Sequence, residues 1–202
     1  DFKMHPVSAH LVLRDEDGAI VSKKTLRIGN GDIAWEQCNE LEELGRSLPE
    51  ATFKVGSLSI HRIWDGPSRR GATRPHFLIH TPGGISNLHT QDSGGSGDQS
   101  FSLPYRGVEE RIFLTIVNDT PKAIALDLSY PYGAGTTPTV TQKIEIPAHG
   151  ARAHEIDQAT LSDTGFRSDT LIAGLSSGPE RKVHMIFARP DLSILSIDHL
   201  SG

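Results

Sequence analysis

Hydrophobic and polar residues alternate in short stretches along the chain, and the stretches are bounded by Gly, Pro, Asn or Asp. Alternation with a period of two is typical of strands that bury one face. The spacing between these stretches is typical of antiparallel sandwiches, so the pattern predicts an all-β protein. The predicted strands are 8–14, 24–29, 32–38, 53–61, 75–80 and 85–90 in the first half, and 111–117, 123–130, 139–147, 151–156, 169–176, 182–188 and 194–200 in the second.

Both halves of the chain end with the same sequence pattern. A His is followed by three apolar residues, two further positions and a Pro in 76–82 and again in 184–190. A second strand containing Ser-x-x-His follows each of them, in 85–89 and 195–199. Two more pairs match in the same order, 25–32 with 143–150 and 56–59 with 173–176. Matches in a fixed order predict two tandem, duplicated antiparallel β-sandwich units.

The predicted domains are a first β-sandwich unit over residues 1–91, a flexible Gly/Ser linker over 92–107 and a second unit over 108–202. Each unit has one short helix candidate, because capping residues and a terminal Gly bound 39–45 and 157–165.

One predicted strand of the second unit, 111–117, has no counterpart in the first, where it would precede Asp1. We therefore expect the first unit to lack its first strand and the chain to be part of a longer protein. A missing strand leaves an unpaired sheet edge that another chain can pair with.

The amino-acid composition of the chain limits the classes of binding partner that we expect. A net charge of −5 without clustered Lys and Arg argues against nucleic-acid binding. The single cysteine, Cys38, excludes an internal disulfide framework. No apolar run approaches the roughly 18 residues that a membrane helix needs, so no membrane insertion is expected. The compartment is not determined by these features.

The ten histidines are the candidates for metal binding or acid–base chemistry. His76 and His80 share a strand face, but about 13 Å of extended strand separates them, which is too far for one ion. Surface histidines are therefore the favoured interpretation. The alternative is a metal-dependent, His-ligated enzyme whose ligands are His76, His89, His184 and His199. No catalytic motif accompanies them, so neither catalytic residues nor cofactors are predicted.

Two further segments are candidates for binding. The loop over 61–74 has no counterpart in the second unit and contains Trp64, Arg69 and Arg70. Together with the face of His76 and His80, it forms the predicted partner-binding surface. Tyr130 and Tyr132 have the chemistry to stack on a sugar ring, although sealing the end of the sandwich is the favoured role.

These observations favour a non-enzymatic binding and assembly module of a larger protein. We expect it to engage a protein partner or a glycan and to form a homo-oligomer. Two alternatives stay open, the His-ligated enzyme and a structural accessory domain of an enzyme.

The second half also resembles a known family, the sensory rhodopsin transducers, which are small β-sandwich proteins. The resemblance rests on residues 113–119, 146–152, 166–169 and 183–191. It implies a similar strand layout over about half of the chain. It also implies a non-enzymatic, oligomeric protein that acts through protein contacts.

Overall fold

The computed structural model describes residues 6–29, 54–65, 76–89, 94–105, 109–131, 139–156, 158 and 170–200. Within these ranges the protein is all-β, as predicted, and its strands form several sheets. The strands of the first half are β1 (Val7–Arg14), β2 (Ile20–Ile28), β3 (Ser57–Trp64), β4 (His76–Thr81) and β5 (Gly84–His89). Those of the second half are β6 (Gln99–Pro104), β7 (Arg111–Asn118), β8 (Ile124–Pro131), β9 (Thr139–Ile146), β10 (Ala151–Glu155), β11 (Thr170–Leu175), β12 (Arg181–Ala188) and β13 (Leu195–Leu200).

The second half contains two four-stranded sheets with one core between them. The strand orders are β10-β7-β12-β13 and β6-β11-β8-β9. Alternate residues of β7 and β8 fill the core, because successive side chains of a strand point to opposite faces. Burial of each such aliphatic side chain contributes about 1.5–3 kcal/mol. Residues of both sheets share this core, among them Phe101, Leu103, Ile112, Leu114, Ile116, Leu126, Leu128, Ile146, Leu171 and Leu175.

The first half forms a three-stranded sheet, in the order β2-β1-β3, and a separate hairpin of β4 and β5. The central strand β1 buries Val7, Ala9 and Leu13. The turn between β1 and β2 reaches the second half, where the backbone N–H of Ala151 donates to the carbonyl oxygen of Glu16 at 3.0 Å. The three-stranded sheet is thereby attached to the edge strand β10.

The hairpin of β4 and β5 lies beside β13 of the second half. The N–H of Gly83 donates to the carbonyl of Ser193 at 2.8 Å, and the N–H of Ile197 donates to Oγ of Ser86 at 3.3 Å. Residue numbers increase together along both strands, so β5 and β13 run in the same direction. The hairpin therefore lies alongside β13, at the edge of the sheet β10-β7-β12-β13, as a separate two-stranded sheet.

The structure corrects the predicted linker. Residues 99–104 form strand β6, which pairs antiparallel with β11. Gln99, Phe101 and Leu103 are buried and the residues between them are exposed. The neighbouring Gly and Ser residues concealed this alternation in the sequence. The prediction of a flexible linker over 92–107 was therefore wrong for residues 99–104.

Some predicted elements lie outside the described residues. They are the strand 32–38, the helix candidate 39–45 and all of the helix candidate 157–165 except Gln158. Within the part of the chain that the structure describes, no helix is long and apolar enough to cross a membrane.

Candidate functional site

Four histidines lie next to one another across both halves of the protein. Strand register places His76 opposite His89 in the β4–β5 hairpin, and His184 opposite His199 in the β12–β13 hairpin. Directly opposed residues share a face of the sheet. The rings of His89 and His199 then join the two hairpins, with centroids 4.4 Å apart and planes at 62°. We call His76, His89, His199 and His184, in this order, the histidine row.

The row lies on the outer face of the sheet that contains β12. Val183, Met185 and Phe187 of β12 pack against the sandwich core, so the alternate residue His184 points to the other side. A smaller apolar cluster lies on that outer face, next to the row, and consists of Phe113, Ile186 and Ala188 with Leu192, Leu195 and Ile197 packed against them. The histidines thus border a buried apolar cluster on this face of the sheet.

His184, at the inner end of the row, is held as a neutral imidazole. Burial lowers its pKa to about 4, and the neighbouring His199 and Lys182 act in the same direction, whereas Asp198 opposes them. The backbone of His184 is fixed from the adjacent strand, because Oγ1 of Thr115 donates to its carbonyl oxygen at 3.3 Å. At neutral pH this ring carries no charge.

His199 has a buried ring nitrogen that lacks a hydrogen bond. Its Nδ1 lies 3.3 Å from Oδ1 of Asp198, but this nitrogen forms no hydrogen bond with any described residue. The side chain as a whole is 28% exposed. Buried polar atoms nearly always have a partner, so this nitrogen is the unusual atom of the row.

His76 and His80, the other histidines of the predicted surface, are both exposed on β4. The ring of His76 is 6.3 Å from that of His89, and its Nδ1 lies 3.3 Å from Oδ1 of Asn87. His80 is opposite Ile85, away from the row. The structure therefore brings His76, but not His80, to the other histidines.

Two of the other predicted contact residues, Trp64 and Tyr130, are described by the structure, and neither belongs to the histidine row. Trp64 is half-buried at the end of β3, opposite Val7. Tyr130 is only 3% exposed and belongs to the sandwich core, with its ring 6.3 Å from that of His154. This burial removes Tyr130 from the candidate surface and agrees with the sealing role. Arg69, Arg70 and Tyr132 lie outside the described residues.

The row cannot enclose one metal ion with all four rings. Neighbouring strands are about 4.8 Å apart, so the outer rings of a row across four strands are separated by about 14 Å. Among the residues that the structure describes, no three His, Cys, Asp or Glu side chains are placed to hold an ion together. A catalytic centre with His76, His89, His184 and His199 as joint ligands is therefore not formed.

Two exposed apolar side chains on the β4–β5 hairpin were not among the predicted site residues. Leu78 is 44% exposed and Ile85 is 66% exposed. Their register places both on the face of the histidine row. The alternating pattern of the strand contained this signal, since Leu78 occupies the same face as His76 and His80.

Comparisons with known proteins give no further identification. No protein family matches the chain, and neither a curated protein nor a solved structure matches it. The resemblance to the sensory rhodopsin transducers therefore stays a prediction.

Proposed function

We propose that this protein is a non-enzymatic binding and assembly module that pairs the open edge of β4 with a second copy of the chain. The proposal rests on the open sheet edge at β4. Strand β12 has neighbours on both sides, β7 and β13, whereas β4 has only β5 among the described residues. Unpaired backbone N–H and C=O groups along such an edge are a template for another strand.

The strand pairings of the two halves support this proposal. In the first half β1 pairs with β2 and β3, and in the second half β8 pairs with β9 and β11. The hairpins β4–β5 and β12–β13 match in the same way, with a His opposite a His in each. We infer that the halves are copies of one unit, in which β7 has no counterpart beside β4 among the described residues.

The chemistry of β4 also favours pairing. Natural edge strands are commonly protected by charged residues or Pro. The segment His76–Thr81 contains no Lys, Arg, Asp, Glu or Pro, and Leu78 in its middle is 44% exposed. An added strand gains backbone hydrogen bonds along the edge and apolar contacts with Leu78.

A second copy is the partner that this edge fits most simply. Two β4 strands related by a two-fold axis pair antiparallel, so each copy closes the open edge of the other. The resemblance to an oligomeric family that acts through protein contacts supports the same proposal.

The test compares two exposed aliphatic residues on different kinds of strand. Leu78 lies on the open edge, whereas Ile172, which is 50% exposed, lies on β11 between β6 and β8. We expect sedimentation velocity to show a dimer for the natural protein and for Ile172→Lys. Leu78→Lys is expected to raise the dimer dissociation constant at least about tenfold, because a charge at the edge must be desolvated on pairing.

Two results would overturn the proposal. One is a natural protein that stays monomeric over the whole concentration range. The other is an equal effect of the two substitutions on the dimer. Binding to a glycan array by a chain that remains monomeric would favour the glycan partner and count against the dimer.

A further inference from the structure

We propose that His89 and His199 bind a divalent transition-metal ion between the two halves of the protein. Zinc is the representative ion, since imidazole nitrogen is one of its preferred ligands. The site is separate from the open edge of β4, and it does not depend on the proposed dimer.

The spacing of the two rings suits a shared ion. A Zn–N bond is about 2 Å long, so an imidazole centroid lies roughly 3 Å from an ion that its nitrogen binds. At the tetrahedral angle that zinc prefers, two such rings have centroids roughly 5 Å apart. The observed separation of 4.4 Å, with planes at 62°, is slightly shorter than this, so a small outward rotation of the rings makes room for the ion.

The state of the ring nitrogens also favours a metal. Only a neutral imidazole has a lone pair for a metal ion. Nδ1 of His199 is buried and has no hydrogen-bond partner among the described residues, so this atom is available as a ligand. A metal bond satisfies a buried nitrogen that otherwise loses its interaction with water.

Two imidazole ligands leave other coordination positions of the zinc ion unoccupied, and we expect water molecules to bind there. No third His, Cys, Asp or Glu side chain of the described residues is in place to complete the set. His76 is the next nearest ring, 6.3 Å from His89. The site is therefore an open, exchangeable one, weaker than a closed structural zinc site.

An ion at this position would link the two halves of the protein. His89 is the last residue of β5 and His199 lies in β13. An ion held by both connects the β4–β5 hairpin of the first half to the sheet that contains β13 in the second half. A ligand that binds only the folded protein also stabilises it.

The test is a titration of the chelator-treated chain with Zn²⁺ by calorimetry, together with thermal unfolding at each ratio. We expect one Zn²⁺ per chain and a higher melting temperature, with no effect of Mg²⁺, which prefers oxygen ligands. His89→Gln and His199→Gln are each expected to weaken zinc binding at least about tenfold. His80→Gln is the matched control, because His80 is exposed on the same hairpin outside the row, and it is expected to bind zinc normally.

A second measurement needs no substitution. Zinc is expected to shift the ring nitrogen resonances of His89 and His199 in the natural protein, and to leave that of His80 unchanged. Equal zinc affinity in all three variants, or shifts spread over the exposed histidines, would show an adventitious ion only and overturn the proposal. A chain that does not bind zinc would also overturn the proposal.

Discussion

Replacing Arg181 with Met is expected to lower the free energy of unfolding by about 3 kcal/mol. The arginine is fully buried at the start of β12. Its guanidinium donates to the carbonyl oxygens of Gly97 at 2.8 Å, Ser176 at 3.0 Å and Pro179 at 3.1 Å. Met fills a similar volume but cannot donate, so these acceptors lose a charged partner. Urea unfolding measures the loss.

The same substitution should also loosen the segment that precedes strand β6. The guanidinium of Arg181 holds the carbonyl of Gly97, whereas the two backbone bonds between Arg181 and Gly95 do not need the side chain. We therefore expect faster hydrogen exchange at the N–H of Gly97, which donates to the carbonyl of Gly178 at 3.1 Å. Arg189→Met is the control, since Arg189 is exposed, and its effect should stay within about 0.5 kcal/mol. Equal stability of the two variants would contradict the role assigned to Arg181.

Replacing Asn118 with Ala is expected to cost about 2–3 kcal/mol, because it leaves buried polar groups without partners. Asn118 is fully buried at the end of β7. Its Nδ2 donates to the carbonyls of Lys122 at 2.8 Å and Pro147 at 2.7 Å, and its Oδ1 accepts from the N–H of Thr120 at 3.0 Å. One side chain thus holds the turn after β7 and the turn after β9. Thermal and urea unfolding measure the effect.

Asn87 provides the matched control for this second prediction. It is an exposed asparagine on β5, and Asn87→Ala should change the free energy of unfolding by no more than about 0.5 kcal/mol. Asn118→Asp keeps the acceptor and loses the donor, so we expect it to be destabilising as well. A stable Asn118→Asp variant would show that the two donated bonds contribute little.

The strands of the second half were predictable because each is a short apolar or alternating stretch bounded by Gly, Pro, Asn or Asp. The expected strand 182–188 is observed as Arg181–Ala188, and 111–117 as Arg111–Asn118. Strand β6 was not found, since its exposed positions are small and polar and the Gly/Ser run precedes it. The alternation of β6 extends over only six residues. The Gly/Ser-rich composition of the segment before it is typical of a linker and hides so short a pattern.

The buried polar residues and the histidine row were harder to predict. Nothing in the sequence near Arg181 distinguishes it from a surface arginine, because its three acceptors are backbone carbonyls. The pairs His76–His89 and His184–His199 follow from hairpin register, and the predicted repeat aligned these histidines with one another. The contact between His89 and His199 depends on how β5 packs against β13, which is a long-range arrangement that no local pattern encodes.

The β4–β5 hairpin packs on β13, so the histidine row crosses both halves of the protein. The most direct test is a nuclear Overhauser experiment on the natural protein with labelled histidine rings, in the presence of a chelator. We expect cross-peaks between the rings of His89 and His199, whose centroids are 4.4 Å apart, and we expect these cross-peaks to be lost in His199→Gln. A spectrum with no contact between His89 and His199, but with the hairpin contacts of β12 and β13 intact, would contradict it.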